Sequence, residues 1–331
     1  MVVTDLFTHV IFAYLLSFVL WGPASPQYIA AGALAGGLPD ADALLMPLAR
    51  RFPLLEHHGI THSVLGVTAV AVAGSFLVPY LPYFPHASTL LYFVAMEVGG
   101  LSHVFLDGFT HFAVSPWLPF STRHFRLDAD VAINFVMLTL TAFTLVTLIV
   151  ERGTVPFSTW VMTTWILTAI YGGYLLVRGV ARWRAGEVRK REGYSSISPS
   201  TNPWAWTLLD RRDTPDRYSI RYRPYRFGET VPAPERKMEV AKVAPSAGPV
   251  RTAQEALERT YLPALAKNRW LGIRAHFGEA VDRGDSFEVK WYIVEMGAFG
   301  RSLGVQGEID RVTGQMHLRT GLIPASIGRP G

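Results

Sequence analysis

The sequence predicts an all-α polytopic membrane bundle of about six transmembrane helices, followed by a small α+β domain on the cytosolic side. Two observations lead there first. Half of the 331 residues are apolar, only 17% are charged, and the mean hydropathy is +0.22, a balance too apolar for an ordinary water-soluble protein. Long stretches also carry no formal charge: none falls between His57 and Met96, nor in residues 131–150 or 157–177, and the last two match the ~20 residues that a spanning helix needs. The third observation is the split of charge along the chain. Residues 1–177 hold 5 basic and 9 acidic side chains and residues 178–331 hold 26 and 17, which together give the net +5. The basic character belongs to the tail.

Six apolar segments follow in order: 6–21, 28–47, 60–80, 88–113, 131–150 and 157–177. The first is preceded by Asp5 and by no Lys or Arg, and it contains His9, which argues for a span rather than a cleaved leader. The second is rich in Gly and Ala and carries Asp40 and Asp42, so a re-entrant half-helix is its alternative reading. Pro79, Pro82 and Pro85 divide the third from the fourth, because proline lacks an N–H and clashes with the preceding turn. If all six cross, Arg50, Arg51, Arg123, Arg126 and the cluster from Arg178 to Arg191 share one side, with only Arg152 opposite. Short cytoplasmic loops collect such residues, so both termini are expected in the cytoplasm of a cell-membrane protein.

Residues 1–180 therefore form the expected bundle, 181–251 a basic, proline-rich linker with short strands, and 252–331 a small helix-plus-meander domain. Residues 217–227 (RYSIRYRPYRF) mix aromatics with arginines and read as an amphipathic strand beside the membrane rather than a nucleic-acid surface. In the last domain 253–271 has helical spacing and 286–296 is strand-like. Strands near 303–310 and 315–322 are joined by the turn Val312-Thr313-Gly314.

The chain has no cysteine. Disulfides, thiolate ligands and a catalytic thiol are excluded, and a metal site has to use His, Asp and Glu. Eight of the ten histidines lie in the first 124 residues, among helices where an ionisable group is costly and by default functional. In the six-span topology His9, Asp40, Asp42, His57, His58, His62, His103, Asp107, His111 and His124 gather near one membrane face. His103 and Asp107 are four apart on a helix and share a side; His111 is displaced by ~80° and flanks them. Thr61 and Ser63 border His62 and are candidates to orient a ligand. The expected metal ligands are His9, Asp40, His62, His103 and Asp107, with His58, His111, His124, Arg123 and Arg126 as additional candidates. Asp42 and His57 are the catalytic candidates, with Asp42 or another carboxylate as general base. A His/Asp site without Cys suits zinc, manganese or iron; the number of ions stays open.

The motifs Thr8-His9, Leu38-Pro39-Asp40-Ala41-Asp42, His57-His58-Gly59-Ile60-Thr61-His62-Ser63 and Gly100-Leu101-Ser102-His103-Val104-Phe105-Leu106-Asp107, with Thr110, resemble the YdjM-type membrane-bound metal-dependent hydrolase family. The resemblance covers roughly residues 4–130. It departs at Ala43, where the family often has His, and at His58, where it often has Arg. More distantly, the order His, Asp, His, His-x-x-x-Asp is similar to zinc-dependent phospholipase C and the single-strand nucleases. That likeness implies Asp40, His62, His103 and Asp107 around one ion, with His9 and a bridging Asp107 at a second. The expected activity is hydrolysis at the cytosolic membrane interface, on a phosphoester of a lipid or amphiphile. A metal or proton transporter using Glu97, Asp107 and the histidines is the alternative, and a membrane-anchored adaptor is a third reading.

Overall fold

A computed structural model describes residues 3–45, 59–82, 84–110, 113–131, 134–151, 153–200, 202–244, 248–267, 276–298 and 301–324. The chain divides into two units, Met1–Val180 and Ala181–Gly331. The first contains α1 (Val3–Trp21), α2 (Pro26–Gly37), α3 (Val64–Leu77), α4 (Thr89–Phe109), α5 (Phe135–Glu151) and most of α6 (Phe157–Glu192). Short 3-10 segments lie at Pro39–Leu45, Ile60–His62 and Val78–Tyr80.

Helix α2 packs against both α1 and α4, and glycine makes this possible. A Cβ on Gly99 would sit 2.0 Å from the Gly32 carbonyl oxygen, and one on Gly36 would sit 2.3 Å from Ala13 Cβ. The backbones touch where small residues leave no side chain between them, as in other membrane helix pairs. Tyr28, Ala31, Ala35, Tyr92, Ala95 and Met96 close the packing on one side. Ile11, Leu15, Met137, Leu167 and Tyr171 join α1 to α5 and α6. Outward-facing positions are apolar: Phe76, Leu90, Phe143, Ile149, Ile166 and Leu176 are each more than half exposed. Ionisable residues including His9, His62, His103, Asp107 and Arg178 are buried. A surface of apolar side chains around a polar interior is the arrangement that lipid, not water, stabilises.

The six-span bundle is not what forms. Among the described residues two helices, Thr89–Phe109 and Phe157–Glu192, are long and apolar enough to cross a membrane, while the apolar helices Leu6–Trp21, Val64–Tyr80 and Phe135–Glu151 are shorter. The sequence reading counted apolar residues, whereas helix length depends on where each helix starts and stops. The run 131–150 has its helix begin only at Phe135, because the Asn134 side-chain oxygen accepts from the Val136 and Met137 amides and caps it. The segment 28–47 yields a 12-residue helix that ends at Gly36-Gly37 before Pro39. Conversely α6 runs to Glu192, well beyond Val177.

The second unit holds the end of α6, two antiparallel four-stranded meanders and α7 (Ala253–Lys267). Residues 181–251, read from sequence as a linker with short strands, carry β1 (Ser196–Pro199), β2 (Ala205–Asp213), β3 (Arg217–Arg226) and β4 (Arg236–Ala241), paired in that order. The second sheet orders β5 (His276–Asp282), β6 (Ser286–Ala298), β7 (Arg301–Asp310) and β8 (Met316–Pro324). At the β7–β8 turn Asp310 accepts from the Val312 and Thr313 amides, and Gly314 takes a φ of 71°, a conformation that glycine adopts without steric cost. Ala181 and Ala185 of α6 pack on Trp206, Leu208 and Tyr225 of the first sheet. Tyr218, Ile220, Leu257, Tyr261, Phe287 and Trp291 build a core shared by α7 and both sheets. The arginines of RYSIRYRPYRF are mostly committed: Arg217 to Glu239, Arg221 to Glu235, and buried Arg223 to both Glu192 and Glu229.

Candidate metal centre

Four elements bring the site together. His9 comes from α1, Asp40 and Asp42 from the 3-10 segment that follows the α2 stop, His62 from the short turn before α3, and His103 and Asp107 from successive turns of α4. All six are buried. His103 Nε2 lies 3.1 Å from His62 Nε2, 3.6 Å from Asp40 Oδ1 and 3.3 Å from Asp107 Oδ2. His62 Nε2 lies 3.6 Å from Asp40 Oδ1 and 3.5 Å from Asp107 Oδ2. Four nitrogen and oxygen atoms held tetrahedrally by bonds of about 2.0–2.1 Å stand about 3.3–3.4 Å apart. The observed separations bracket that figure.

The second nitrogen of each ring fixes what the first can do. His103 Nδ1 is 2.7 Å from the Gly36 carbonyl oxygen, which only accepts, so the ring donates from Nδ1 and aims the Nε2 lone pair inward. On the outer side of His62, Nδ1 meets Asp42 Oδ2 at 3.3 Å and Thr61 Oγ1 at 3.0 Å, while Thr61 donates to the same Asp42 oxygen at 2.8 Å. These are the partners that orient metal-bound imidazoles. The cage is thus rich in lone pairs and carboxylates, and Asp40 Oδ2 and Asp107 Oδ2 are buried without a hydrogen-bond partner. Such a set fits a divalent cation. With protein groups alone, burial works against a charged His62 ring, but hydrogen bonds that it donates to the Asp40 and Asp42 carboxylates outweigh it and push His62 up to about 9. Burial likewise raises Asp40, and contacts with His62, His103 and His9 override it and hold the carboxyl below its ordinary value. Both shifts express the same demand for positive charge.

His9 stacks on His103 with ring centroids 3.7 Å apart, and its Nε2 lies 3.3 Å from Asp107 Oδ1. Asp107 therefore offers one oxygen to the His62–His103–Asp40 cage and the other to His9, and His9, His103 and Asp107 form a second group within ligand reach. A small cavity lined by Thr8, His9, Asp107, Thr110, Asp130 and Met137 borders this side. An apolar one lined by Leu38, Pro39, Thr61, Val67, Ala71 and Met96 borders the other.

The remaining sequence candidates are elsewhere. His124 is exposed, its Nδ1 bonded to Ser115 Oγ at 2.9 Å. Arg126 pairs with Asp128 at 3.0 Å, and Arg123 is exposed. Ser63 orients no ligand; it caps α3 by accepting from the Gly66 amide. His57, His58 and His111 lie outside the described residues.

Sequence reasoning missed two features. One is the Gly36 carbonyl, for which residue type gives no signal. The other is a buried group behind the cavity: Arg178 reaches Asp130 at 3.2 Å, Tyr174 donates to Asp130 Oδ2 at 2.7 Å, and Asn134 donates to Asp130 Oδ1 at 2.6 Å. The charges of Asp130 and Arg178, each abutting an uncharged run, were the available clue.

Apolar outward-facing helices around a buried His/Asp cage define an integral membrane protein with a candidate metal centre. The chain belongs to the YdjM inner membrane protein family, whose family model matches residues 4–185; its place is the inner membrane, in association with the lipid bilayer. No curated protein and no solved structure gives a match.

Proposed function

We propose that the protein is a metal-dependent hydrolase acting at the membrane surface on a phosphoester of a lipid or other amphiphile. The observation that carries this reading is the approach of Asp40 Oδ1 and of Asp107 Oδ2 to within 3.3–3.6 Å of both His62 Nε2 and His103 Nε2, which are themselves 3.1 Å apart. These residues would hold a divalent ion, zinc by preference, with His9 and the outer oxygen of Asp107 at a second position. A bound ion supplies Lewis acidity toward a phosphoryl oxygen and acidifies water. Asp40, whose Oδ2 accepts no hydrogen bond, is suited to take the proton of the attacking water. Sequence alone makes Asp42 a candidate for that base, but its carboxylate meets His62 Nδ1 rather than the cage interior, so it serves to orient His62. The likeness to zinc-dependent phospholipase C favours phosphoesters.

Elemental analysis of purified protein and of His103→Ala and Asp107→Ala tests the metal. About one or two ions per chain are expected in the parent and a large loss in both variants. Hydrolysis of phosphodiester, phosphomonoester and carboxylester panels tests the reaction. Negligible metal in all three proteins would sink the proposal.

One observation favours transport as a second reading. Glu97, on the same helix as His103, accepts from Thr68 through Oε1 while Oε2 is buried without a hydrogen bond. Metal bound without hydrolysis, together with ion flux into vesicles that Glu97→Gln abolishes, would select it.

A further inference from the structure

Three large aromatic side chains of the second unit are exposed, with Arg184 next to Trp183 and Arg226 next to Phe227 in the sequence. Trp183 is 58% exposed, Trp204 47% and Phe227 38%. The Arg184 guanidinium lies over the Trp183 ring at 5.1 Å. Trp204 and Phe227 close the open end of the β2–β3 hairpin: the Phe227 amide donates to the Trp204 carbonyl at 2.7 Å and the rings are 6.3 Å apart. Exposed Arg226 is the last residue of β3, next to Phe227.

Strand β3 gives the direction of this hairpin end along α6. Arg221 bonds the Gly193 carbonyl, Arg223 bonds Glu192, and Tyr225 packs with Ala181 and Ala185. The strand thus runs back along α6 toward its apolar part, and Trp204 and Phe227 lie at the Ala181 end. The uncharged run of α6 stops at Val177. Ala181 follows about 6 Å later along the axis and Trp183 about 9 Å later, its side chain leaning back toward the helix N-terminus and so toward the membrane. The polar layer outside the hydrocarbon is about 5–8 Å thick on each side. The aromatics therefore fall at the depth where Trp and amphipathic rings concentrate, and Arg184 and Arg226 supply the charge that an anionic surface attracts.

We propose that Trp183, Arg184, Trp204, Arg226 and Phe227 form an interfacial anchor that seats the first sheet on the anionic phospholipid headgroup layer around α6. Arg217, Arg221 and Arg223 of the same strand do not contribute, since each is held by a carboxylate. The anchor fixes the sheet to the bilayer independently of any chemistry at the His/Asp cage.

The absence of cysteine from the chain permits a direct test in the full-length protein. Phe227→Cys and Trp183→Cys carry an environment-sensitive fluorophore, with Val312→Cys, 71% exposed on the β7–β8 turn, as the aqueous control. After reconstitution in vesicles with and without anionic phospholipid, quenching is measured with aqueous iodide and with a lipid bearing a shallow spin label. At positions 227 and 183 the expected result is protection from iodide together with quenching by the labelled lipid, both stronger with anionic lipid. Each arginine at such a surface is worth about a fivefold shift, so Arg184→Gln with Arg226→Gln should lower the seated fraction ratio about 25-fold. Iodide access at 227 and 183 equal to that at 312 overturns the proposal. So does protection without quenching by the labelled lipid, which would mean that protein covers the patch.

Discussion

Replacing Asp42 by asparagine removes one negative charge 3.3 Å from His62 Nδ1 and little else. A single carboxylate oxygen, Oδ2, serves both Thr61 and His62, and the asparagine oxygen can take its place with the same volume. What is lost is the difference between a charge-assisted and a neutral hydrogen bond, about 1–1.5 kcal/mol, together with part of the basicity that a carboxylate lends to the imidazole. Metal affinity should therefore fall about tenfold, at the lower end of the 10–100-fold range for groups that orient ligands. Asp40→Asn is the matched comparison. Asp40 Oδ1 belongs to the cage, and neutralising it removes a buried counter-charge worth about 3–5 kcal/mol, or roughly 10²–10⁴ in affinity. Competition against a chromophoric chelator, run on both variants in the same detergent, reads the two constants directly. Equal losses would refute the division of the carboxylates into cage and support. An Asp42→Asn protein that binds metal normally but does not turn over would make Asp42 the general base after all.

Three further outcomes are expected. Gly99→Val pushes a Cβ to 2.0 Å from the Gly32 carbonyl, a main-chain atom that cannot swing aside, so thermal unfolding in detergent should show about 2–3 kcal/mol of overpacking cost; unchanged stability would mean that α2 and α4 do not approach so closely. Tyr174→Phe strips the donor from Asp130 Oδ2 and leaves a buried acceptor unmet, which costs about 1–3 kcal/mol in denaturant titrations, and no change would show that the group is not satisfied as described. In the second unit the hydrogen bond from Arg223, more than burial, holds the Glu192 carboxyl below its ordinary value. A depressed carboxylate adds stability that is present above the unfolded value near 4.5 and lost as pH falls through the folded one. Acid unfolding followed by circular dichroism should therefore start at higher pH in Arg223→Met, and identical profiles would remove the pair from the acid response.

The ligand types were legible because their chemistry is unusual where they occur. A histidine within an apolar helix stands out, and the four-residue step from His103 to Asp107 puts both on one side whatever the rest of the fold does. Helix ends were much less legible. Asn134 looks like an ordinary polar residue at the edge of an apolar run, yet its capping bonds start α5 four residues into that run. Nothing in residues 178–192 stops a helix, but a charge-based reading ended α6 at Arg178, because it treated charge as a boundary where the chain treats it as a surface. The sheets were only partly legible for a similar reason. Prolines dot residues 199–249, but Pro199 ends β1 and Pro224 occupies a strand position, so the composition suggested a linker with short strands where pairing through neighbouring residues builds a sheet.

The bond from His103 to the Gly36 main chain also constrains how this protein can change. An orienting side chain can be exchanged for another acceptor, so its position can drift. A carbonyl oxygen is supplied by every amino acid, and position 36 is held instead by the room left beside Ala13 and His9. Selection there acts on volume rather than on functional group: an alanine would keep the acceptor and still displace it, moving the imidazole as a rigid consequence of helix spacing.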